Sequence, residues 1–246
     1  MDILWGLRCW TAKYRNTRPR QSSCSRSASS FQPMPETDSL ALWARRAAIK
    51  KFDPSKAISA ADWESILQAL HLAPSAYGLQ PYRVIDVRDP AKRAAIREGA
   101  PQQAQVTDAA HLLVFALVTD FGEVHLDGHL ARTKASRGTP DEALAIYRGR
   151  VLDALLQRLD RSSLLAWQAR QAYIGMTAVM YQASQLGIDT CPLEAMNLEV
   201  ADTVLGLAPR NLASVVGLAV GYRSEEDVYC KQPKVRLPRN EFVLEI

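Results

Sequence analysis

The sequence lacks most of the signatures that announce a chemistry. It has four cysteines in 246 residues: Cys9, Cys24, Cys191 and Cys230. None forms a C-x-x-C pair and none has histidine at zinc-ligand spacing, so they read as free thiols in a reducing, cytoplasmic setting. It has four histidines, His71, His111, His125 and His129, none placed for a nucleophilic triad. His125 and His129 are four apart, but without the glutamate of H-E-x-x-H no metal site is expected. His111 opens an apolar run and reads as a satisfied core histidine. No G-x-S-x-G, no phosphate-cradling G-x-x-x-x-G-K-[ST] and no G-x-G-x-x-G between strand and helix occurs. No apolar run approaches the roughly 18 residues of a membrane span; "HLLVFALV" at 111–118 is strand-sized. Charge is also scarce. The formal net charge is +4, and residues 1–33 alone carry +5, leaving the rest at −1. A near-neutral body argues against nucleic acid as a partner.

What is present is the composition of a soluble globular protein, 48% hydrophobic and 23% charged, long enough to bury a core without staples. Residues 1–36 stand apart as a basic, Arg/Ser-rich extension, expected to be a disordered tail or upstream sequence. Mitochondrial targeting and, with Trp5, Trp10 and Tyr14 among the cations, a binding arm are lesser readings. The domain proper is expected over 37–246.

Helices are predicted over 37–49, from Ser59 to Pro74, over 90–99 and over 166–186. The second shows Trp63, Ile66, Leu67 and Leu70 at helical spacing behind a Ser59/Asp62 capping pair; the last is apolar almost all round and ends at Gly187. Strands are predicted at 82–89, 111–118, within 188–197 and at 212–222, with "NEFVLEI" at the C-terminus as an edge strand. Residues 101–108 read as a polar connection. Residues 123–165 are long and charged, either a lid or a surface hairpin. The class is α+β, with a mixed, mostly antiparallel sheet among many helices.

No acid–base or nucleophile set emerges, so either the protein is not an enzyme or a cofactor carries the chemistry. Scattered polar clusters remain: Arg45, Arg46 and Lys50; Ser75 to Gln80, in the turn "LAPSAYGLQPYR"; Gln102 and Gln105; Glu194; Lys234 to Arg236. Fixed cations such as Arg45, Arg46 and Lys50 suit either a helix end or a bound phosphate.

Taken in order, "RRAAIKKFDP", "LAPSAYGLQPYRV", "VTDAAHLLVFAL", "GIDTCPLEAMN", "LGLAPRNLASVVGLAVGY" and "PKVRLP" resemble the FMN-dependent nitroreductases across most of 40–246. The resemblance implies a homodimer with a C-terminal strand exchanged between subunits and FMN at the interface. It implies reduction by NAD(P)H and ping-pong transfer to nitroaromatic, quinone or pterin-like acceptors. A flavin-binding sensor or carrier, or a specialised branch of the fold, is the alternative. Arg46, Lys234 and Arg236 would hold the FMN phosphate, with Ala48 contributing through its backbone. Lys50 would face the N1/O2 edge of the ring and stabilise the reduced form. Gln102 and Gln105 would meet the pyrimidine end. Pro192, Leu193 and Glu194 would lie along the ring, the Glu194 backbone N–H near N5. Ser75 would reach the partner's FMN, and Gln80 would stand at the floor of the site. The chain departs from the family pattern in three respects: Ala47 and Ala48 stand where a hydroxyl is usual, Gln105 where a lysine is, and Ala195 where a glycine is.

Overall fold

The computed structural model describes residues 39–246; the 1–36 extension, with Cys9 and Cys24, lies outside them. Two helices, α1 (Ser39–Arg45) and α2 (Ala60–Leu72), precede strand β1 (Tyr82–Asp86). α3 (Pro90–Glu98) and the single turn α4 (Gln105–Asp108) lead to β2 (His111–Val118). α5 (Glu123–Arg137) and α6 (Asp141–Val151) follow, α6 running into a π-helical stretch, Leu152–Gln157. The long α7 (Arg161–Gln185) precedes β3 (Asp189–Leu193), α8 (Leu198–Leu205) and β4 (Leu212–Gly221); α9 (Arg239–Phe242) closes the chain.

The four strands form one sheet of order β1-β2-β4-β3, every pairing antiparallel. Among the described residues its one parallel link is the bridge between Ala48 and Thr190. β2 and β4 are central and buried on both faces, which explains their unbroken apolar runs. Alternate residues divide between two cores. Leu113, Phe115, Val216 and Leu218 pack with Trp63 and Ile66 of α2 and Met176 and Val179 of α7. Leu112, Val114, Cys191 and Ala219 pack with Ile49, Ile96 and Val106 on the other face. β3 is an edge strand, which is why it tolerates Pro192. A third core under α5, α6 and the π-helical stretch joins Leu126, Leu130 and Leu155 to Leu79 and Trp167.

The local signals acted as expected at α2, where the Ser59 hydroxyl accepts the Asp62 N–H at 3.0 Å and donates to the Asp62 carboxylate. His111 is satisfied: it stacks on Trp63 and lies 3.3 Å from the Asp86 carboxylate. Three expectations fail. The first helix stops at Arg45 instead of 49, because the chain beyond it finds partners on the β3 edge: Ile49 N–H donates to Thr190 O. Residues 101–108 are not wholly a connection, since α4 occupies their end. The C-terminal strand is absent within the described residues; α9 and an exposed tail stand there, with Phe242, Leu244 and Ile246 bare. A strand needs a neighbour for its N–H and C=O groups, and the described residues of one chain offer this segment none. Among the described residues no helix is long and apolar enough to cross a membrane, and no group of His, Cys, Asp or Glu is placed to hold a metal.

Candidate functional site

The extended segment after α1 is held from two sides. Its Ala48–Ile49 part lies on the β3 edge, and Phe52 and Asp53 pair with Arg223 and Tyr222 beyond β4. This strap presents four consecutive-looking cations that the structure sorts into different roles. Arg45 turns to the buried Asp189, 3.9 Å away, which also takes two guanidinium hydrogen bonds from Arg223. Lys51 pairs with Glu226 at 3.0 Å. Arg46 has no carboxylate partner among the described residues. Its Nε is buried with no hydrogen-bond partner, and its carbonyl accepts the Lys234 ammonium. Burial, then the nearby Arg236, lowers the Arg46 pKa; burial, then Arg46 and Arg236, lowers that of Lys234. Arg46, Lys234 and Arg236 therefore form a group of mutually repelling cations without a counter-charge among the described residues. Such a group is poised for a polyvalent anion.

Lys50 leaves the strap toward β3, its Nζ 3.6 Å from the Cys191 sulfur. Gln105 approaches the same sulfur with Nε2 at 4.0 Å and is almost fully buried, yet its Oε1 is unpartnered. Thr190 Oγ1, one residue before Cys191, is likewise buried and unpartnered. Burial pushes the Cys191 thiol up, Lys50 partly offsetting it, so it stays protonated at neutral pH. Buried polar groups left without partners are rare and mark places where a bound group completes the bonding. At the end of β3, Leu193 is buried, Pro192 half-buried and Glu194 exposed. The Tyr173 hydroxyl of α7 donates to the Glu194 carboxylate at 2.6 Å, and burial together with that contact pushes the phenol up to about 12.

Not every expected residue joins this cluster. Gln102 is exposed ahead of α4. Ser75 and Gln80 lie where β1 begins and β2 ends, while Gln105 and His111 lie where β2 begins. Their polar groups are spent locally. Ser75 Oγ accepts the Gln80 N–H at 3.0 Å, and Gln80 Nε2 donates to the His71 carbonyl at the end of α2. The turn also carries three residues at positive φ: Tyr77 at 58°, Gly78 at 69° and Gln80 at 44°. It is held there by Gln171, which accepts the Ala76 N–H, and by Tyr147, whose hydroxyl donates to the Tyr77 carbonyl.

Besides Asp189, two buried charges among the described residues escaped the reading of the sequence. Arg93 of α3 donates to the carbonyls of Val106, Ala109 and Ala110, so it holds the end of α4 from inside. Its only signal was a position three before Ile96, on the buried face of an otherwise polar helix. Asp227 is fully buried and accepts from the backbone N–H groups of Lys50, Lys51 and Cys230 at 2.7, 2.9 and 2.8 Å. Its strap partners lie 177 and 176 residues away, and only the Cys230 N–H, three residues on, is local.

Comparison with known proteins gives this arrangement a context. The chain matches the profile of the nitroreductase family over residues 43–222. It is 27% identical over 215 residues to the oxygen-insensitive NAD(P)H nitroreductase of Enterobacter cloacae, covering 85% of this chain and 99% of that protein. A nitroreductase-like protein of Streptococcus mutans superposes with a TM-score of 0.71 at 21% identity, over 85% of this chain and 98% of its own. A protein of Exiguobacterium sibiricum described as a nitroreductase and solved with FMN gives 0.70 at 20%, over 84% and 96%.

Proposed function

The chain belongs to the nitroreductase family, and from that premise we propose that it is an FMN-dependent NAD(P)H oxidoreductase. The observation that carries the proposal is the carboxylate-free group of Arg46, Lys234 and Arg236 beside the unpartnered Arg46 Nε and Gln105 Oε1. These residues fit FMN. A phosphate dianion answers the cations, and the donor and acceptor of the Gln105 amide answer the pyrimidine edge of a flavin. FMN is the group bound in the Exiguobacterium sibiricum neighbour, and NAD(P)H is named as the reductant of the Enterobacter cloacae relative.

FMN, once bound, supplies hydride acceptance from the nicotinamide and electron delivery to a second substrate. The protein supplies position and charge. Arg46, Lys234 and Arg236 anchor the phosphate, with the Ala48 backbone alongside. Lys50 brings a cation whose field favours the added negative charge of the reduced cofactor. Pro192, Leu193 and Glu194 would line the ring, and the Glu194 backbone N–H would serve as the donor to its reactive edge. Gln102, exposed ahead of α4, stands outside the buried cluster, and the pyrimidine end is left to Gln105.

The unit is a homodimer in this reading. Two observations support it: the apolar tail of Phe242, Leu244 and Ile246 has no cover in one chain, and Ser75 and Gln80 lie at the other end of β2 from the cation cluster. A second subunit would cover the tail through strand exchange and bring its Ser75 turn to this subunit's FMN. Acceptors are nitroaromatics, quinones or pterin-like rings. An absorbance spectrum of the purified protein, followed by anaerobic titration with NADH and NADPH, tests the proposal. Bleaching of a bound flavin and turnover with menadione or a nitrofuran is the expected result. A protein that stays colourless after FMN is supplied sinks it. Uptake of FMN without reduction by either nicotinamide would make the protein a carrier or sensor.

A further inference from the structure

We propose that Asp227 is the positioning residue of the site, holding the Lys50 strap and the Lys234–Arg236 segment in one frame so that their cations meet the same cofactor. The inference rests on the FMN reading above. Asp227 lies beyond the stretch that matches the family profile.

The geometry is specific. One carboxylate oxygen, Oδ2, accepts both the Lys50 and Lys51 N–H groups, at 2.7 and 2.9 Å. The other, Oδ1, accepts the Cys230 N–H at 2.8 Å. Cys230 sits in the short 3-10 turn Tyr229–Lys231, from which the chain runs on to Lys234 and Arg236. Lys234 then returns to the strap by donating to the Arg46 carbonyl. A single buried side chain thus joins the two segments that hold the unpaired cations. It also fixes the backbone from which Lys50 reaches to 3.6 Å of Cys191.

A carboxylate suits this place because it accepts on both sides. Burial raises its pKa, but the N–H groups of Lys51, Cys230 and Lys50 outweigh that and hold it below the usual aspartate range. An asparagine has one acceptor and one donor. Turned either way, it sets an N–H₂ against a backbone N–H and releases one of the two segments. The cation of Lys50 sits on a four-carbon stem with free rotation, so its location depends on the backbone that carries it.

A charge-only role and a positioning role make opposite predictions. The Asp227 charge is felt at Cys191, within the site. If Asp227 acted only through that charge, Asp227→Asn would remove a negative field and raise the midpoint potential of bound flavin. If it positions Lys50, the variant loses the ordered cation and the potential falls. We therefore expect D227N to weaken FMN binding at least tenfold, by fluorescence titration of the full chain, and to lower the potential. Lys50→Met should lower the potential too, and D227N added to it should lower it no further. A D227N protein that binds FMN within twofold of wild type, or whose flavin potential rises, overturns the proposal. So does an additive effect in the double variant. Asp227→Ser, which keeps one small acceptor, repeats the measurement should D227N not fold. Failure of both to fold assigns Asp227 to folding alone and overturns the proposal as well. Wild-type protein that takes up no FMN would instead remove the reading on which the inference rests.

Discussion

The two polar clusters at opposite ends of β2 look alike in sequence and differ in the structure. At one end, Arg46, Lys234 and Arg236 repel one another, and Arg46 Nε and Gln105 Oε1 have no partners. At the other, Ser75 Oγ, Gln80 Nε2 and the Ala76 N–H all have partners, although three residues are held at positive φ. The first region leaves its cost unanswered until a ligand arrives. The second answers its cost with its own side chains. The Ser75 turn is thus set in shape by the chain's own side chains before any partner reaches it, whereas the cation group is completed only by a ligand.

The largest expected effect breaks the first region. Arg46→Ala should weaken FMN binding roughly tenfold to hundredfold, from about 1.5–3 kcal/mol for a charge-assisted contact. In the absence of FMN the same variant should melt no lower than wild type, because a repulsive charge has gone. Thermal melts with and without FMN check both halves. A ligand-free protein that loses stability would mean the cluster is structural.

The next breaks the second region. Gln171→Ala removes the buried acceptor of the Ala76 N–H and should cost about 1–3 kcal/mol in urea unfolding, the penalty for an orphaned backbone donor. Gly78→Ala should cost about 1–2 kcal/mol, since a side chain at φ +69° is strained and its Cβ would stand 3.3 Å from the His129 ring. Refolding FMN titrations on either variant that show affinity lost in proportion to stability would erase the contrast between the two regions.

Acid sharpens it further. Asp227 is held below the ordinary aspartate pKa, so its contribution is present above that ordinary value and is lost as pH falls toward its folded one. Urea midpoints should therefore decline below about pH 4 in wild type, and the decline should be shallower in Asp227→Asn. The smallest effect belongs to Tyr173→Phe. Loss of its 2.6 Å bond to the exposed Glu194 should change stability by about 1 kcal/mol or less. A larger loss in the same unfolding assay would mean that this contact, and not the backbone of β3, orients the segment.

Much of the architecture was legible because it is encoded locally. The Ser59 cap, the 3.6-residue spacing of Trp63, Ile66 and Leu70, and the apolar runs of β2 and β4 each act within a few residues. The order of short motifs along the chain also placed it in its family, and the cations Arg46, Lys50, Lys234 and Arg236 were named from that order. What the sequence by itself determined was thus the elements and the candidate residues. Only the tertiary structure decided which candidates were free. Arg45 and Arg46 are adjacent and chemically identical, yet one faces Asp189 and the other faces no acid. Asp227 becomes the clamp of Lys50 only when the chain returns after 177 residues. The tail that alternates like a strand stays bare, because strand pairing is a relation between two segments. Satisfaction of a charge or a hydrogen bond depends on the distance to a partner, and that distance exists only once the sheet has closed.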